Sequence, residues 1–129
     1  MTDEELIELA RQVRQLAYAP YSDFRVGAAL LASDGRVFTG CNVENASYGL
    51  TICAERTAIF KAVSEGALEF VKIALVTDTD ELTAPCGACR QVIWEFSSGI
   101  IVIMANLKGD QQACPISALL PHPFDKSLL

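Results

Sequence analysis

The chain has 129 residues, 51% of them hydrophobic and 20% charged, with five cysteines and a formal net charge of −6. That length suits one domain with a core of its own, and an acidic chain repels phosphate backbones, which disfavours a nucleic-acid partner. The longest apolar run, the six residues Ile100–Ala105, falls far short of the roughly 20 a membrane helix needs, so no membrane partner is expected either.

The opening Met1-Thr2-Asp3-Glu4-Glu5 is acidic and polar, unlike a secretory leader. Cys41, Cys53, Cys86, Cys89 and Cys114 make an odd count. A reduced, cytoplasmic protein is the expectation, and clustered cysteines in that setting bind metal or do chemistry more often than they form disulfides. Thr2-x-x-Glu5 reads as a capping box, and Leu6, Leu9, Ala10, Val13, Leu16 and Ala17 recur at helical spacing behind it. Residues 18–24 break the period and read as a loop. Segments 25–32 and 36–42 flank Ser33-Asp34-Gly35 and read as a hairpin.

Residues 43–52 are irregular and polar. A second helix is expected from about Cys53 to Glu65, stopped by Gly66. Phe70–Thr77 reads as a buried strand, 78–85 as a loop, and a third helix runs from near Cys86 to about Phe96. Ile100–Ala105 is a second buried strand. Lys108-Gly109-Asp110 turns into a short strand near Gln111–Cys114, and a last helical turn covers Ile116–Leu120. This order predicts an α/β fold with a mixed sheet covered by helices, forming a single domain over 1–129. Right-handed crossovers set the second and third helices side by side. Both then start at the carboxyl edge of the strands, where open α/β sheets keep their sites.

That placement brings Cys53 to the neighbourhood of Cys86 and Cys89. The last two stand at i and i+3, on one face of a first helical turn. Helix N-termini favour thiolates. Three thiolates within tetrahedral reach suit zinc and leave a fourth position open for water. Glu55, two residues past Cys53, has the length to act as a proton carrier there without binding the metal. Alone, Cys86-x-x-Cys89 fits a redox or structural role equally well, and Glu55 alone reads as a carboxylate stabilising a helix dipole. A divalent zinc with three thiolates carries net negative charge, a poor setting for activating water. Arg56 and Arg90 stand close enough to hydrogen-bond ligand sulfurs and withdraw that charge.

Cys53-Ala54-Glu55 and Pro85-Cys86-Gly87-Ala88-Cys89 match the H-x-E…P-C-x-x-C signature of zinc nucleobase deaminases, with cysteine in place of histidine. That cysteine resembles the small nucleoside cytidine deaminase family. Residues 19–28, 40–48 and 87–91 resemble the same family's N-terminal loop and first strand, ribose-binding segment and third helix.

The resemblance covers nearly the whole chain. It implies a three-layer α/β/α fold with a five-stranded mixed sheet, and one zinc per chain on Cys53, Cys86 and Cys89. It makes Glu55 the catalytic proton shuttle. Asn42 and Glu44 would hydrogen-bond ribose hydroxyls, Asn45 would join them in binding substrate, Phe24 would pack on the base, and the main chain at Ala54 would help read the pyrimidine edge. Tyr48 would lie at a subunit boundary, and Phe124 would reach a neighbouring subunit's pocket in a homotetramer. After Phe124 this chain has Asp125-Lys126-Ser127, where the family commonly has a Gly-Pro turn. The implied activity is hydrolytic deamination of cytidine and 2'-deoxycytidine in pyrimidine salvage. A relative acting on a modified cytosine nucleoside, and a small zinc or redox protein without turnover, are the alternatives.

Overall fold

A sheet whose strands alternate two apolar faces needs a cover on each side, and this chain supplies both. The computed structural model describes residues 1–96 and 98–129. Helix α1 (Asp3–Arg14) is followed by strands β1 (Val26–Ala32) and β2 (Val37–Cys41), helix α2 (Ala54–Ser64) and strand β3 (Phe70–Thr77). Helix α3 (Gly87–Phe96), strands β4 (Ile101–Asn106) and β5 (Gln111–Pro115) and the one-turn helix α4 (Ile116–Leu119) complete the chain. Short 3-10 turns at Tyr48–Leu50 and Lys126–Leu128 interrupt the loops.

The five strands form one sheet in the order β2-β1-β3-β4-β5. Among the described residues, β3 pairs with β4 in parallel, while β1–β2, β1–β3 and β4–β5 are antiparallel. A parallel pair needs a crossover connection, and α3 supplies it. On one face, Ala29, Ala74, Val76, Ile103 and Ala105 pack against Leu6, Ile7 and Ala10 of α1. The opposite face sets Ala28, Leu30, Ile73, Leu75 and Val102 against Ala58, Ile59 and Ala62 of α2 and Ile93 of α3. Successive strand residues therefore serve opposite layers, the period of two that a sheet dictates. The expected three-layer α/β/α architecture is present.

The capping box at α1 forms in full: Glu5 N donates to Thr2 Oγ1 at 3.1 Å and Thr2 N donates to Glu5 Oε2 at 3.2 Å. At the far end of α2, Gly66 takes φ +90°, the left-handed geometry in which a helix commonly stops and which glycine adopts without strain. Two other glycines matter because they are small. A Cβ on Gly27 would stand 1.9 Å from the carbonyl oxygen of Ala10 in α1, and one on Gly40 would stand 2.5 Å from the Ala58 nitrogen in α2. Both outer layers press onto the sheet at a residue without a side chain. β2 and β3 run in the same direction, each antiparallel to β1. The chain leaves both at one edge, and α2 and α3 start there.

Candidate metal centre and its cleft

Cys53 is the residue just before α2, with extended backbone (φ −72°, ψ 156°). Cys86 precedes α3 in the same way, and its sulfur accepts from the Cys89 backbone N–H at 3.4 Å, in the manner of an N-cap. The sequence reading places both cysteines inside their helices. The structure puts each one residue outside, since a capping residue has non-helical backbone angles.

The sulfurs of Cys53, Cys86 and Cys89 all lie within 4.8 Å of one another. Cys53 and Cys86 are 3.8 Å apart. Sulfurs on a tetrahedral zinc with bonds of about 2.3 Å stand about 3.8 Å from each other, so the residues present fit that ion. No fourth Cys, His, Asp or Glu joins the group among the described residues, which leaves one position for solvent or a ligand. Cys41 and Cys114 are elsewhere and free, and His122 is exposed on the tail.

Hydrogen bonds from the Cys89 thiol, Arg56 and Cys86 bring the Cys53 thiol down to about 5, against its burial. Cys89 shifts the other way, because it serves as donor to Cys53 and is itself buried. Arg56 Nη2 donates to Cys53 Sγ at 3.4 Å, the contact expected of it. Arg90 does something else. Its Nε donates to the Pro85 carbonyl and its Nη1 to the Leu119 carbonyl, both at 2.8 Å. It ties the turn before Cys86 to the end of α4, and the sulfur contact falls to Arg56 because Arg90 points its N–H groups at main chain.

Beside the sulfurs opens a cleft of about 260 Å³. Cys53, Ala54, Glu55 and Cys86 form its floor, and Phe24, Asn42 and Glu44 line it from the loops at either end of the hairpin. Glu55 is 4% exposed. Burial raises its carboxyl pKa above the ordinary range, and the neighbouring Cys53 charge adds to this. A carboxyl shifted upward holds a proton more readily than an ordinary glutamate does, which suits a group that must both accept and return one.

The remaining expected residues divide. Asn42 is buried, with its amide nitrogen donating to Phe24 O at 2.7 Å and its oxygen accepting from Val26 N at 2.8 Å. It holds the Phe24 segment in place. The Glu44 carboxylate accepts from Tyr21 N at 3.0 Å, from Ser22 N at 3.2 Å and from the Ser22 hydroxyl. These contacts keep its pKa below the usual value, the hydroxyl first. Asn45 accepts from Ser47 N at 2.9 Å and is not part of the cleft lining. Tyr48 stacks edge-on against Tyr21 with centroids 5.8 Å apart, over an adjoining hollow that shares Glu44 and Thr51 with the cleft. Phe124 is 62% exposed, and its carbonyl accepts from Gln91.

The sequence reading misses one wall of the cleft: Thr77, Thr83 and Ala84. Their position between a strand end and Pro85-Cys86 was the available signal.

The family described as the cytidine and deoxycytidylate deaminase zinc-binding region matches residues 1–105. This chain belongs to that family. It is similar to the cytidine deaminase of Sporosarcina psychrophila, 53% identical over 127 residues, or 98% of this chain and 93% of that one. The cytidine deaminase of Halalkalibacterium halodurans is 55% identical over 125 residues, covering 96% of this chain and 95% of the relative. Among solved structures, the crystal structure of cytidine deaminase from Burkholderia pseudomallei superposes with a TM-score of 0.94 at 52% identity, covering 96% of this chain and all of that one. The deaminase family thus carries the same sheet and helices, and the three-thiol cluster is where this member's zinc fits.

Proposed function

We propose that this chain catalyses hydrolytic deamination of cytidine and 2'-deoxycytidine to uridine and 2'-deoxyuridine, with release of ammonia. One observation carries the reading: the buried carboxyl of Glu55 and the sulfurs of Cys53 and Cys86 line a single cleft of nucleoside-base size. The deaminase relatives at 53% and 55% identity support the same reaction.

Cys53, Cys86 and Cys89 would hold the zinc. The bound ion supplies Lewis-acid activation of a water at the open position. Glu55 takes the proton from the attacking water as its oxygen bonds to C4 of the cytosine ring, and passes that proton to N3. Glu55 then carries the proton of the new C4 hydroxyl to the exocyclic nitrogen, the C4–N bond breaks, and ammonia leaves the 4-oxo product. Phe24 packs on the base, and the main chain of Ala54 meets the pyrimidine edge. Glu44 and Asn42 set the ribose end, Asn42 chiefly by fixing the segment 24–26. Asn45 supports the same loop through its turn to Ser47. Arg56 offsets the negative charge of the thiolate set, and Arg90 holds the Cys86 turn.

The chain acts as one domain over 1–129. Tyr48 and Phe124 are exposed and are the side chains through which neighbouring subunits of a homotetramer would complete each cleft. The setting is cytoplasmic pyrimidine salvage. No helix among the described residues is long and apolar enough to cross a membrane. The test is direct. Zinc-replete protein mixed with cytidine should lower the cytosine absorbance band as uridine forms, with ammonia in equal amount. No change at high enzyme concentration overturns the reading.

A further inference from the structure

The hydroxyls of Thr77, Thr79 and Thr83 form a chain beside the cleft. Thr77 Oγ1 lies 2.8 Å from Thr79 Oγ1, and Thr83 Oγ1 lies 3.1 Å from it. Thr79 also donates to the carbonyl oxygen of Glu81. A hydroxyl has one proton and a carbonyl oxygen only accepts. The Thr79 proton is therefore committed to Glu81, and Thr77 and Thr83 must be the donors towards Thr79. What remains on their oxygens is lone pairs. Thr77 is fully buried, whereas Thr83 is half-buried and lines the cleft. Thr83 lines the same cleft as Glu55, Cys53 and Cys86, and in the chain it stands three residues ahead of Cys86. The loop itself is fixed from below. Buried Asn106 donates to the carbonyls of Thr79 and Asp80 at 3.1 and 3.2 Å. The Thr83 hydroxyl is thereby denied the rotation by which a free hydroxyl suits either kind of partner.

We propose that Thr83 is a specificity-determining residue that presents an acceptor to the 4-position of the bound pyrimidine, and that Thr79 is the positioning residue that sets this polarity. The inference rests on the deaminase reading of the cleft. The substrate carries an amino group at C4, a donor; the product carries a carbonyl there, an acceptor. An oxygen offering only lone pairs favours the first and opposes the second. The wall thus holds the 4-amino form and expels the 4-oxo form once ammonia has gone.

The experiment uses the zinc-loaded enzyme and compares the KM for cytidine with the dissociation constant of uridine measured by calorimetry. Thr83→Val should weaken cytidine relative to uridine by about two- to tenfold, the range for one neutral hydrogen bond. Thr79→Val should free the Thr83 proton, so uridine should bind tighter by a similar factor while Thr79→Ser keeps the wild-type ratio. Thr83→Val moving both ligands equally, or neither, overturns the proposal, as does unchanged uridine binding in Thr79→Val. Circular dichroism and zinc content confirm that each variant is folded before its ligands are compared. A wild-type enzyme inactive on cytidine would instead overturn the deaminase reading itself.

Discussion

At the scale of single residues, the centre is a problem of charge. Three thiolates outweigh a divalent ion, and Arg56 is the cation that touches them, at 3.4 Å from Cys53 Sγ. Its Nε is buried without a partner among the described residues, so the side chain is held there at some cost in solvation. Arg56→Ala should lower zinc affinity by about 10- to 100-fold, the usual penalty for losing a group that supports a metal ligand. Competition with a colorimetric chelator checks this. Glu55→Gln keeps the shape and the metal but loses the proton carrier. It should retain one zinc per chain by metal analysis and lose turnover by at least about 10²-fold. That the three cysteines and Glu55 come together was legible because they stand at short spacings, Cys-Ala-Glu and Pro-Cys-x-x-Cys. Thr83 and Thr79 were not, because a hydroxyl chain through a loop has no periodicity and threonines in loops are ordinary. Arg90 was misread for a related reason: adjacency to Cys89 in sequence does not say which way a long side chain turns.

At the scale of elements, the site depends on how closely α2 lies on the sheet. A Cβ on Gly40 would meet the Ala58 nitrogen at 2.5 Å and the Ala54 oxygen at 2.7 Å. Those are backbone atoms of the helix that Cys53 caps and that carries Glu55. Gly40→Ala must push the helix outward, at about 1–3 kcal/mol by analogy with overpacked cores. Thermal unfolding should shift down, and metal analysis should show reduced zinc on the folded protein. Element types were readable from the sequence because β3 and β4 are short, nearly continuous apolar runs and the apolar residues of α1 recur at helical spacing. The close approach at Gly40 was hidden, since a small residue in a strand has several explanations and only the packed layers select one.

For the whole molecule, metal and fold are linked. Zinc that binds the folded chain more tightly than the unfolded one stabilises it in proportion to the logarithm of its concentration over its dissociation constant. Stripping it with a strong chelator should lower the melting temperature by several degrees, about 4 °C per kcal/mol for a chain of this size. Calorimetric scans with and without chelator measure this, and restored zinc should recover the original midpoint. Tyr18, Tyr21, Tyr48, Leu50 and Phe124 are all exposed, and exposed apolar residues of this size are candidates for contact with another chain. Sedimentation should report four chains, and a stable monomer would remove the shared cleft from the proposed assembly.

The bond from Arg90 to the Leu119 carbonyl gives the centre a place in time. All three cysteines and Glu55 leave the ribosome well before residue 119 does, since the chain emerges from its N-terminus. Until then Arg90 has only the Pro85 carbonyl, and β5 is missing from the sheet edge beside β4. The nascent chain therefore carries three oxidisable thiols before it has the segment that steadies the turn of Cys86. The bond from Arg90 to Leu119 can therefore steady the Cys86 turn only once nearly the whole chain is out.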